Sequence, residues 1–117
     1  MMLETFFDSE YLSQQYSEQD ETYTVHLMHW NGELAKIVFS DTIGFYVFPN
    51  VGFPMGLRNE ESPSDFFHDA LLTEFEKIPE QHEYQCYEIV DIDDMPFIKV
   101  VAKGYEFLKY DIQHEIG

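Results

Sequence analysis

From Thr22 to Trp30 the side chains alternate between apolar and polar types and are rich in β-branched and aromatic residues. That period of two predicts a strand with one buried face. Asn31-Gly32 follows, the dipeptide best suited to the two positive-φ positions of a type I′ turn, so the chain is expected to reverse there. Glu33 to Ser40 returns as a second strand, with Ala35, Ile37 and Phe39 on one face and Leu34, Lys36 and Val38 on the other. Asp41-Thr42 can turn the chain into a third strand, Ile43 to Phe48, closed by Pro49-Asn50. A three-stranded antiparallel meander is the expected result.

Elsewhere the period lengthens. Leu3, Phe6, Phe7 and Tyr11 fit one face of a short helix reaching about Tyr16, with Asp8, Glu10, Gln14 and Gln15 opposite, and the polar run Ser17 to Glu21 reads as a connection. Ser62 is a candidate N-cap, Pro63 takes the first helical position with its φ already set, and Asp65 completes a capping-box arrangement. Phe67, Leu71, Phe75 and Ile78 then recur at helical spacing until Pro79, while Asp65, Asp69 and Glu76 line another face. Between strand and helix, Asn50 to Asn59 holds Gly52, Pro54 and Gly56, which argue against regular structure, and also Val51, Phe53, Met55 and Leu57. Such a loop either folds over the core as a lid or offers part of itself for contact.

Tyr84 to Ile92 reads as a fourth strand, Asp93-Asp94-Met95-Pro96 as a turn, Phe97 to Lys103 as a fifth strand, and Tyr105 to Ile112 as a sixth after Gly104. The expected fold is a single α+β domain over residues 1–117. It would be a twisted antiparallel sheet of about six strands with a central helix packed on one face and a short N-terminal helix.

Composition changes the picture from fold to partner. With 44% hydrophobic and 17% aromatic residues in 117, the chain can bury one core despite 23 acids against 6 Lys and Arg, a formal charge of −17. A folded domain that carries so much self-repulsion suggests a basic partner, and it would be repelled by a nucleic-acid backbone or an anionic membrane. The start Met1-Met2-Leu3-Glu4 lacks the basic and apolar regions of a secretory leader, and no apolar run nears the roughly 18 residues of a membrane span. Cys86 stands alone, which fits a reducing compartment, so a soluble cytoplasmic protein is expected. The charge is also segregated: residues 59–94 hold twelve carboxylates and one lysine, whereas residues 95–117 balance three lysines against three acids.

Nucleotide-binding, serine-hydrolase and zinc-protease motifs are missing from the chain. His26 and His29, three apart on an expected strand, would face opposite ways. Asp91, Asp93 and Asp94 begin like a calcium loop, but Met95-Pro96 stand where its Gly is needed. Cys86 on a strand reads as core. Neither enzyme activity nor a cofactor or metal is expected.

What remains is an acidic and aromatic surface. Partner-binding candidates are Asp65, Asp69, Glu76, Glu80, Glu83, Asp91, Asp93 and Asp94, with Tyr84 as an aromatic anchor; Trp30, Tyr87, Tyr105 and Tyr110 are further anchors if they face outward. In size, acidity, sheet-plus-helix order, and the stretch from Asp91 to Ala102 leading into a final strand, the chain resembles small acidic bacterial immunity proteins. That resemblance is one of general pattern. It implies cytoplasmic binding of one cognate toxin, often a nuclease, by covering its active site or an exosite. The alternatives are a DNA mimic that blocks a nucleic-acid-binding enzyme and a small-molecule-binding domain, which would need a polar pocket.

Overall fold

The computed structural model describes residues 2–6, 9–49 and 53–110. Among them are strands β1 (Met2–Thr5), β2 (Glu10–Ser17), β3 (Thr22–Met28), β4 (Leu34–Ser40), β5 (Gly44–Val47), β6 (Gly56–Asn59), β7 (Gln85–Val90), β8 (Pro96–Ala102) and β9 (Gly104–Tyr110), and one helix, α1 (Asp65–Glu74). They form two antiparallel sheets, ordered β1-β6-β7-β8-β5 and β2-β3-β4-β9. The expected α+β fold, a single sheet with a central helix on one face, is therefore incorrect. The molecule is a β-sandwich with one short helix on its outside.

Period-two alternation explains why the sheets pair. Tyr23, Val25 and Leu27 of β3 and Ile37 and Phe39 of β4 pack against Leu57, Tyr87, Ile89, Ile98 and Val100 of the other sheet, all buried. Each fully buried aliphatic or aromatic side chain contributes about 1.5–3 kcal/mol of transfer free energy, so two apolar sheet faces are most stable against each other. Aromatic rings bridge the layers: Phe39 and Tyr105 of one sheet each lie 5.5 Å from Tyr87 of the other.

The expected N-terminal helix is instead β1 and β2. Residues 7 and 8 of that expected helix lie outside the described residues. In β2, Tyr11 is opposite Leu27 and Ser13 opposite His26, so Leu12 is a bulge. The bulge leaves Tyr11 and Gln14 on the same inward side three residues apart, which breaks the period of two that would have marked a strand.

The β3–β4 hairpin forms as expected, but its turn differs. The Gly32 amide donates to the His29 carbonyl and the His29 amide to the Glu33 carbonyl. Gly32 has φ +83°, and Asn31 is not among the positive-φ residues. The loop is thus Trp30-Asn31-Gly32, a type I turn closed by a glycine bulge rather than a two-residue type I′ turn.

The expected three-stranded meander is also incorrect: β5 leaves β4 and joins the other sheet beside β8. Asp41, with φ 52°, makes the corner. Of the expected Asn50–Asn59 loop, residues 50–52 lie outside the described set, Phe53 is exposed, and Gly56–Asn59 form β6 between β1 and β7. Glycine is required there: a Cβ at Gly56 would fall on the Met2 side chain and 2.9 Å from the Glu4 carbonyl. The expected sixth strand begins one residue earlier than expected, at Gly104, and is followed to Tyr110; residues 111 and 112 lie outside the described set.

Helix α1 starts later than expected. Ser64, not Ser62, is the N-cap, its hydroxyl accepting from the Phe67 amide at 3.3 Å. The helix ends at Glu74, with Phe75 as C-cap, ahead of Pro79. It buries only Ala70 and Leu71, which join Tyr84, Cys86 and Val101 in a small satellite cluster outside the main core.

Candidate functional site

Charge is handled differently on the outer face of the five-stranded sheet and on the rest of the surface. Arg58 of β6, Glu88 of β7 and Lys99 of β8 are direct cross-strand neighbours. Arg58 Nε lies 3.0 Å from Glu88, Lys99 Nζ lies 3.2 Å from the other Glu88 oxygen, and Lys99 also reaches Glu60 at 2.9 Å. Arg58 extends the row to Asp94 at 2.7 Å. The other Glu60 oxygen accepts from the Ser64 amide at 2.6 Å, which ties the ladder to the helix start. Burial alone would push the Glu60 carboxyl up, but Lys99 and the Ser64 donors outweigh it and hold it below its ordinary range.

Cys86 belongs to this region, with its thiol 3.6 Å from Glu60. Burial, reinforced by the Glu60 charge, pushes that thiol up, so it stays protonated and unsuited to nucleophilic attack.

Lys103 pairs with Glu83 and Lys109 with Glu33, so at least four of the six basic residues are held in ion pairs with acids of the same chain. By contrast Asp65, Asp69, Glu76, Glu80 and Asp93 are exposed, with no ion pair among the described residues. The residual surface charge is accordingly negative.

The expected site residues do not form one patch. Strand β7 lies between two groups: residues 76–83 lead into it at Gln85, and the 91–94 turn leaves it at Val90. Six strand residues put roughly 17–20 Å between those ends. Asp91 is half-buried and turned back on its own loop, accepting from the Asp93 and Met95 amides at 2.9 and 3.0 Å. Asp94 and Glu83 are exposed but ion-paired. Tyr84 is not an outward anchor. It is 7% exposed, packs on Phe75, and directs its hydroxyl to Glu74 at 3.4 Å. Tyr87 is likewise core.

Of the expected aromatic anchors, Trp30 does face outward, 74% exposed at the β3–β4 hairpin tip. It borders a cavity of about 390 Å³ lined by Glu4, Thr5, His29, Trp30, Asn31, Glu33, Phe107 and Lys109. Both acids in it are positioned by neutral donors. Glu4 accepts from the Tyr105 hydroxyl at 2.8 Å, and Glu33 accepts from the Asn31 side-chain amide at 3.2 Å while its own amide donates to Asn31 at 3.0 Å. Burial and then the bond to Glu4 push the Tyr105 phenol up to about 12, so it remains a donor at neutral pH. His29 is held by Ser9, Nδ1 to Oγ 2.7 Å. The sequence marked Trp30 and Tyr105 as possible anchors but did not bring Glu4, Glu33 or Lys109 to them, because β1, the hairpin and β9 meet here only through the fold.

Among the described residues, no group of three or more His, Cys, Asp or Glu is arranged to hold a metal ion, and no helix is long and apolar enough to cross a membrane. The class defined so far is a small acidic two-sheet β protein. No family model matches the chain, and the searches of curated proteins and of solved structures find no match. The sheet-plus-helix order that entered the resemblance to immunity proteins is replaced by two packed sheets.

Proposed function

We propose that this chain is an acidic binding protein that neutralises a basic protein partner, and that the partner is a cognate toxin of the nuclease type. The observation that supports this is the imbalance of the surface: at least four of the six cations are held in ion pairs within the chain, while acids such as Asp65, Asp69, Glu76, Glu80 and Asp93 are exposed with no ion pair among the described residues. A field of one sign steers an oppositely charged protein and raises its association rate by one to three orders of magnitude at low salt. It does so at a cost in self-repulsion, which a partner offsets.

The test is isolation of the partner on the immobilised chain, followed by nuclease assay of the eluted protein. The expected partner is basic and loses its activity on addition of one equivalent of this chain. The double variant Asp69→Lys, Glu76→Lys should associate more slowly and show a weaker salt dependence, with a melting temperature unchanged or raised. A neutral or acidic partner, or nuclease activity untouched by a stoichiometric amount of the chain, would contradict the proposal.

A further inference from the structure

We propose that the cavity beside Trp30 is the seat for a single cationic side chain, an arginine or lysine, of a basic protein partner. The inference rests on the preceding reading of a basic partner and gives that partner a point of contact. The large indole ring of Trp30 is 74% exposed, and Trp is among the residues most enriched at the energetic centres of interfaces. Here the ring is carried on a three-residue loop closed by Gly32 and pinned by the His29–Glu33 backbone bond, so little conformational freedom is lost on contact.

The lining specifies charge as well as shape. Glu4 and Glu33 are oriented by Tyr105 and Asn31, which position the carboxylates without neutralising them. Lys109 is the cation in the lining, and it approaches Glu33 only to 3.8 Å from a side chain that is 59% exposed. Two carboxylates less one ammonium leave one net negative charge, matched to one incoming cation. Trp has the strongest cation–π face of the aromatic residues, and the attraction grows as the site is desolvated. The loosely held Lys109 shows that an ammonium group can lie beside this carboxylate, and it would compete with the incoming side chain.

The chain has a single tryptophan, so its fluorescence reports on this cavity alone. N-acetyl-arginine amide should quench or shift the Trp30 emission saturably, while the isosteric but uncharged N-acetyl-citrulline amide should not. Followed by amide NMR, Trp30→Ala and Glu33→Gln should each weaken arginine-amide binding about fivefold or more, and Lys109→Met should tighten it about twofold or more. Glu18→Gln, in the exposed β2–β3 connection at the other end of β3 from Trp30, should leave it unchanged. An equal response to the citrulline amide, titrations unaltered in Trp30→Ala and Glu33→Gln, no tightening in Lys109→Met, or an equal loss in Glu18→Gln would each overturn the seat. Because the probe needs no partner, failure here leaves the salt dependence of partner association standing. Loss of that salt dependence with the probe still bound would reject the basic-partner reading instead.

Discussion

At the scale of single residues, two buried polar groups behave oppositely. The Tyr23 hydroxyl lies in the core with no hydrogen-bond partner among the described residues. An unpaired buried hydroxyl costs about 1–3 kcal/mol, so Tyr23→Phe should raise stability by about 1 kcal/mol in a denaturant titration. Glu60 is fully engaged by Lys99 and the helix start, and Glu60→Gln should lower stability by about 3 kcal/mol at neutral pH. The lower end of the usual range applies because Lys99 keeps Glu88. The sign with pH follows from a carboxyl held below its ordinary value of 4.5 in the folded state. Its contribution is complete above that value and is lost as pH falls through the lower, folded one. The gap between wild type and Glu60→Gln should therefore close below about pH 4.5, and a gap constant with pH would contradict this role.

At the scale of elements, the close approach of β1 to β6 depends on Gly56. Gly56→Ala places a methyl against the Glu4 carbonyl and should cost about 1–3 kcal/mol, with amide exchange accelerated first in Met2–Thr5. Unchanged exchange there would show that β1 can shift without loss. Element identity was legible wherever alternation was clean. Thr22–Met28, Leu34–Ser40, Gln85–Val90 and Pro96–Ala102 lie where the pattern placed strands. It was not legible where a bulge interrupted the period, as at Leu12, or where glycine served close packing rather than a turn, as at Gly56. Sheet membership was hidden altogether: nothing local distinguishes β5 and β9 as strands that change sheets. For the same reason the Trp30 cavity could not be assembled from residues so far apart in the chain, although the exposure of Asp65, Asp69, Glu76, Glu80 and Asp93 followed from their charge.

At the scale of the whole molecule, a formal charge of −17 on a sandwich of this size makes self-repulsion a folding term in its own right. Raising the salt concentration screens exposed charges more than the ladder of Arg58, Glu88, Lys99 and Glu60. The melting temperature should therefore rise with added sodium chloride by about 4 °C or more, equivalent to ~1 kcal/mol. A fall would mean that the ion pairs outweigh the repulsion. The same uncompensated charge governs encounter with a partner. The most direct measurement is the stopped-flow association rate constant with the isolated basic partner between about 20 and about 300 mM salt, a span over which the screening length shortens several-fold. A decrease of about tenfold or more across that range is expected for an acidic surface that steers its partner; a rate constant that stays within about twofold would contradict it.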